Sequence, residues 1–149
     1  MGNAVAGAAV VEGLRASVAG LDALFLEEVG LDRTDPEAVA RETVDVLERK
    51  SEVRLQRLAL WKQVEAQVAA GKARDAAEFA EFQEAMTPPD ATGSERAFVE
   101  MSTTAELAGV LTLSPGAAAA FISQSRKVCA MPAVAGALAA GVMSWRHAV

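Results

Sequence analysis

A chain of 149 residues with a single cysteine, a single histidine and a net charge of −6 excludes several classes of protein. One Cys and one His cannot supply the four ligands of a structural zinc site, and one Cys cannot form a disulfide within the chain. We therefore predict no metal site, no cofactor and a reducing, cytoplasmic location.

The charge is unevenly distributed along the chain. Residues 1–92 carry a net charge of −7 and residues 93–149 carry +1. Neither part has the concentrated basic surface of an autonomous nucleic-acid-binding protein. Hydrophobic residues make up 52% of the chain, and much of that share is alanine, which favours helices that pack closely. We predict an all-α, multi-helix bundle with one long helix.

The first predicted helix covers residues 4–29. Apolar side chains recur there every three or four residues, and Gly30 provides a helix stop. The apolar start lacks the cationic residues of a signal peptide. An uncharged stretch at residues 128–143 has only 16 residues, fewer than the about 20 that a membrane-spanning helix needs. We therefore predict no contact with a membrane.

The long helix is predicted over about residues 36–70. Thr34, Asp35 and Pro36 form a start signal, and no Gly or Pro follows until Gly71. An apolar stripe runs along it, formed by Val44, Leu47, Leu55, Leu58, Val64 and Val68. The polar face mixes acids and bases, which is typical of a solvated face rather than of a row of phosphate contacts. The stripe also suits a homodimer through this helix. Trp61 is expected in a core or helix–helix contact.

A shorter helix is predicted at residues 74–86, and the consecutive prolines Pro88 and Pro89 then mark a linker at residues 87–93. The predicted organisation is a helical region at residues 1–86, this linker, and a second helical region at residues 94–149. Helices are predicted in the second region over residues 94–111 and 115–130, with a short one from Pro132 to Gly141 and another that Ser144 caps.

Residues 104–127 have the outline of a helix-turn-helix. Ala108 is the small residue of the first helix, residues 111–114 form the turn, and Ile122 is the apolar residue that packs back. The first turns of the second helix, however, contain only Pro, Gly and Ala, which cannot make paired hydrogen bonds to bases. The residues left for DNA contact are Gln124, Arg126, Lys127, Arg146 and His147. The alternative, an Ala-rich helical hairpin packed in a bundle, is favoured.

The order of motifs after the linker resembles a known family. The motifs are Ser94-Glu95-Arg96-Ala97-Phe98-Val99-Glu100, the Leu111-Thr112-Leu113-Ser114 turn, and Gly141-x-x-Ser144-Trp145-Arg146-His147-Ala148. They resemble domain of unknown function 222, the 13E12 repeat region found upstream of an HNH endonuclease module in many actinobacterial proteins. The resemblance covers about residues 36–149 and is most specific from Ser94.

The resemblance implies a DNA-linked context. A full-length relative is expected to carry the HNH endonuclease module, whereas this chain lacks the set of His and Asn or Asp residues that such a nuclease needs. Family members continue past the last motif, so we expect this chain to be truncated at its carboxyl end. We assign no catalytic residue and predict no enzymatic activity.

Three functional hypotheses follow. The first is a non-catalytic helical accessory domain with weak DNA association. The second is a helical protein-interaction or dimerisation module that has no DNA role. The third is a small helix-turn-helix regulator that uses residues 104–127.

Overall fold

The computed structural model describes residues 2–32 and 44–149. Its helices are α1 (Gly2–Asp32), α2 (Val44–Met86), α3 (Gly93–Leu111), α4 (Pro115–Cys129), α5 (Pro132–Ala139) and α6 (Trp145–Ala148). The described residues contain no strand, so the all-α prediction is confirmed. Every later helix packs on the carboxyl-terminal half of α2 or on a helix that does.

α1 and α2 form an antiparallel hairpin. Val10 near the start of α1 lies beside Gly71 of α2, and Ser17 donates a hydrogen bond of 2.9 Å to Gln67. Farther along α1, Glu27 accepts from Arg49 at 2.6 Å. The prediction that α1 ends at Gly30 is wrong, because the helix continues to Asp32.

α2 is longer than predicted. Its predicted start near Pro36 lies outside the described residues, and the predicted end at residue 70 is wrong, because α2 runs through Gly71 to Met86 as one helix of 43 residues. Residues 74–86 are therefore not a separate helix. A glycine inside a helix costs only about 1 kcal/mol, and the alanines on both sides of Gly71 are buried against other helices, which offsets that cost.

The core is made of small contacts along α2. One cluster joins Ala66 and Ala70 of α2 to Val128 and Leu138. A second cluster joins Ala76 of α2 to Leu107, Ala108 and Ala118, with Phe79 and Ile122 packed against it. Alanine lets helix backbones approach closely, so α4 lies directly on α2. Ala108 and Ile122 hold the packing positions predicted for them.

The segment before α3 is held by its own polar groups. Thr92 and Glu95 form a reciprocal capping box at the start of α3. Arg96 donates to the carbonyl oxygens of Pro89 at 3.0 Å and Ala91 at 3.2 Å. Gly93, assigned to the linker from sequence, is already the first residue of α3.

α3 and α4 form the predicted helix-turn-helix-like unit. The two helices meet at 100° and are joined by three residues, which is within the range of helix-turn-helix motifs. Thr112 closes α3 in the left-handed region at φ 55°, and the Ser114 hydroxyl caps α4 by accepting from the amide of Ala117 at 3.2 Å.

Candidate functional site

One of the two cations predicted to contact DNA on α4 has another partner nearby. Arg126 forms an ion pair of 2.5 Å with Glu84 of α2, which already occupies part of its guanidinium group. Lys127 is exposed. Gln124 and Arg126 are two residues apart on a helix, so their side chains point about 160° apart around its axis. These three residues therefore do not share one surface of α4.

Arg146 and His147 lie on α6, apart from the α4 cations. Both are exposed, and His147 Nδ1 is 2.6 Å from the hydroxyl of Ser144. The neighbouring Trp145 packs against Phe121 of α4 in a tilted arrangement, with ring centroids 5.2 Å apart. Phe121 points about 140° away from Arg126 around α4. α6 thus approaches α4 on a different side from the Arg126 side chain.

A groove of about 630 Å³ lies between the end of α2, α3 and α4. Its charged side chains are of both signs: Arg96, Arg126 and Lys127 face Glu84 and Glu100. Such a groove does not form the uniformly positive channel that tracks a nucleic-acid backbone.

A second cavity, of about 850 Å³, lies between α1, α2 and α5. Nearly half of its lining residues are Ala or Gly, and Cys129, Glu78 and Glu81 also line it. Burial raises the pKa of the Cys129 thiol; Arg74 opposes this rise and Glu78 adds to it. A thiol with a raised pKa is a poor nucleophile near neutral pH. Within residues 2–32 and 44–149 no group of three or more His, Cys, Asp or Glu side chains is placed to hold a metal ion.

The long helix α2 carries a stripe of exposed residues, spaced alternately by three and four, which places them on one face of the helix. We call it the α2 stripe; it consists of Val44, Leu47, Ser51, Arg54, Leu58, Trp61, Glu65 and Val68. All eight are exposed, including 63% of Leu58 and 47% of Trp61. Five of them are large and apolar.

Helix α1 carries a matching stripe. The α1 stripe consists of Val11, Arg15, Val18, Asp22, Phe25 and Val29, again spaced by four and three residues, and all six are exposed. The guanidinium carbon of Arg57 lies 4.2 Å above the ring of Phe25. Arg54 of the α2 stripe bonds Glu28, the neighbour of Val29. The two stripes therefore run side by side on one face of the hairpin, which we call the apolar face.

Ion pairs hold the hairpin together beside this face. The hydrogen bond from Arg49 lowers the pKa of Glu27, and the hydrogen bond from Arg54 lowers that of Glu28, to which Arg57 also contributes. Arg57 lies 2.5 Å from Glu28, and both side chains are mostly buried. α1 and α2 are thereby fixed in one register, so the two stripes form a pre-ordered surface.

The apolar face differs from what sequence periodicity predicts. An apolar stripe on a helix ordinarily marks the side that packs in the core. Here Val44, Leu47, Leu55, Leu58 and Val68 are all exposed, and Trp61, which was expected in a core or helix–helix contact, is 47% exposed. The buried side of α2 consists mainly of alanine, with Val53, Arg57 and Gln67. Because alanine gives a weak periodic signal, the side of α2 that is buried within the chain was not predicted from sequence.

Comparison with known proteins found no match. No protein family, no curated protein and no solved structure matches the chain. The resemblance to domain of unknown function 222 therefore stays a prediction, as does the DNA-linked context that it implies.

Among residues 2–32 and 44–149, one helix meets the length and composition of a membrane span. Residues Ala4–Asp32 of α1 have a mean hydropathy of 1.4 over the most apolar window, of which 17% is buried. α3 and α4 together also meet the criterion as one span bent by 100°. Buried core helices of soluble proteins and signal sequences meet the same criterion, so the predictions of a cytoplasmic location and of no membrane contact stay predictions.

Proposed function

We propose that this chain is a non-catalytic helical interaction module that forms a homodimer through the apolar face of the α1–α2 hairpin. The observation that supports it is the exposure of nine large apolar side chains on the two stripes. Monomeric soluble proteins rarely expose a contiguous apolar patch larger than a few hundred Å². A face of this extent is stable in water when a partner covers it.

The size of the apolar face suits a stable dimer. The α2 stripe from Val44 to Val68 is about 36 Å long at ~1.5 Å per residue, and two helices side by side are about 20 Å wide. The face therefore covers roughly 700 Å² per copy, close to the ~800 Å² per partner of a standard protein interface. Two hairpins packed face to face would form a four-helix bundle, a common architecture for such helices.

A protein partner suits this face better than a lipid bilayer. α2 carries charged side chains throughout, among them Arg54 and Glu65 within its stripe, and ion pairs tie α1 to it. The chain also has a net charge of −6, which the negative surface of a cytoplasmic leaflet repels.

The test compares two substitutions that place a charge on an exposed apolar residue. Leu58→Asp lies in the middle of the apolar face, and Val110→Asp lies on α3, where Val110 is 82% exposed. We expect Leu58→Asp to sediment as a monomer at concentrations where the parent chain and Val110→Asp are dimers. Equal sedimentation of both variants and the parent chain would contradict the proposal.

A second candidate function is weak association with duplex DNA, as the family resemblance implies. The 100° angle between α3 and α4 favours it, because a helix-turn-helix places its second helix in the major groove. Lys127 is the exposed cation that α4 offers to a phosphate. Lys127→Ala is expected to weaken duplex binding at low salt; absence of binding by the parent chain at low salt would remove this function.

A further inference from the structure

The charges within the α2 stripe select one arrangement of the two copies. We propose that the copies pack α2 against α2 in antiparallel orientation, with Leu58 of each opposite Trp61 of the other. This inference rests on the proposed self-association through the apolar face. It adds the orientation of the second copy and the register in which it docks.

The arrangement follows from the positions of the two charged residues of the α2 stripe, Arg54 and Glu65. Arg54 lies four residues before Leu58, and Glu65 lies four residues after Trp61. When antiparallel helices pair Leu58 with Trp61 of the second copy, Arg54 of each copy comes opposite Glu65 of the other. Both contacts form at once, because a two-fold axis makes the interface self-complementary.

Both side chains are available for this contact. Arg54 bonds Glu28 on its own hairpin, but 54% of its side chain is exposed and its guanidinium group has five N–H donors. Glu65 is exposed, and no ion pair to it occurs among residues 2–32 and 44–149. In the dimer Arg54 would lie between Glu28 and the Glu65 carboxylate of the second copy.

Other arrangements leave charges unmatched. A parallel, in-register pair of α2 helices places Arg54 against Arg54 and Glu65 against Glu65, and like charges at such positions are destabilising. Sliding the antiparallel pair by one heptad places Arg54 opposite Lys72 or opposite Leu58 instead of an acid. The register centred between Leu58 and Trp61 pairs these two apolar residues with each other and Arg54 with Glu65.

Disulfide trapping tests the orientation. Ser51 and Val68 are 17 positions apart, about 26 Å along one helix, which is too far for a disulfide within one chain. In a chain carrying Cys129→Ser, we mix a Ser51→Cys variant with a Val68→Cys variant under mild oxidation. The mixed disulfide is expected to predominate. If Ser51→Cys instead cross-links efficiently to itself, the copies are parallel and the inference is overturned.

A charge reversal tests the register, with a control of equal charge change. Glu65→Arg places a cation opposite Arg54 twice per dimer, so the dimer Kd is expected to rise at least about tenfold. Glu106→Arg makes the same charge change on α3 and is expected to leave Kd nearly unchanged. Equal Kd values for the two variants, in chains that sediment as dimers, would overturn the register while leaving self-association intact. A parent chain that remains monomeric would overturn self-association itself, and the inference with it.

Discussion

The guanidinium group of Arg57 on α2 lies 4.2 Å above the ring of Phe25 on α1, and it also forms an ion pair with Glu28. One residue of α2 thus contacts both an aromatic ring and a carboxylate of α1. Arg57 is only 9% exposed, while the neighbouring Leu58 is exposed. The contact places Phe25 next to the α2 stripe, so it fixes how the two halves of the apolar face line up.

Arg57→Met tests the contribution of this contact to stability. Methionine keeps much of the buried length but loses both the ion pair and the cation–π contact, and the latter alone is worth about 1 kcal/mol. We expect a lower midpoint of urea denaturation. Arg54→Met, at a side chain that is 54% exposed, is expected to lower it less. A lower midpoint for Arg54→Met than for Arg57→Met would contradict this contribution of Arg57.

The hairpin ion pairs also predict how stability depends on pH. Arginine partners lower the pKa of Glu27 and Glu28 below the ordinary value of 4.5. Their folded-state pKa is therefore below the unfolded one, and the stability they contribute is complete above about pH 4.5 and lost as the pH falls through the folded pKa.

Urea denaturation between neutral and acidic pH measures this effect. The urea concentration at the midpoint of the parent chain is expected to decrease as the pH is lowered below 4.5. The decrease is expected to be smaller in Glu28→Gln, because this variant has one fewer ionisable partner of arginine. Glu106→Gln on α3 serves as the control and should keep the pH dependence of the parent chain. An unchanged pH dependence in Glu28→Gln would speak against the role of this ion pair.

Two glycines of the α5 region should respond to alanine in opposite directions. Gly141 has a φ of +77°, and a Cβ there would lie 2.2 Å from the Cγ of Gln63. Gly136 lies inside α5, and a Cβ there would meet nothing within 4 Å. We expect Gly141→Ala to cost about 1–3 kcal/mol of unfolding free energy and Gly136→Ala to add about 0.5–1 kcal/mol. Thermal denaturation of both variants measures these changes in stability. Stabilisation by Gly141→Ala would contradict the positive φ at this residue.

The thiol of Cys129 is predicted to react slowly. Burial raises its pKa above the ordinary value of 9.0, so little thiolate is present near pH 8. Reaction with a disulfide reagent such as DTNB should be slower in the folded chain than in urea. Glu81→Gln should speed the reaction of the folded chain, because this carboxylate raises the thiol pKa. Equal rates in folded and unfolded chains would show that the fold does not raise the pKa of the thiol.

The carboxyl-terminal helices could be predicted from sequence because their signals are local. Ser114 with Pro115, and Pro132, mark helix starts, and the structure begins α4 and α5 at those prolines. Gly71 was wrongly taken as a helix stop, because the cost of a glycine in a helix is small compared with the packing of its neighbours Ala70 and Ala73. That packing depends on helices far away in the chain.

The candidate site was only partly predictable for a related reason. Periodicity finds the stripe of Leu58 and Val68, but it cannot tell a face buried in the chain from one left for a partner. The exposure of Trp61 was not predictable, since the core side of α2 consists mainly of alanine. The candidate DNA-contact residues were chosen by residue type alone. The ion pair between Arg126 and Glu84 could be recognised only in the folded structure.

Sedimentation equilibrium of the unmodified chain tests the central claim most directly. Concentrations from about 1 to about 100 μM cover the range of moderate homodimer affinity. Self-association through the apolar face predicts a mass that rises with concentration from the chain mass of 15.5 kDa to twice that value. The combined emission of Trp61 and Trp145 is expected to shift to the blue as the Trp61 side chain leaves water. A constant mass of one chain at every concentration would contradict self-association.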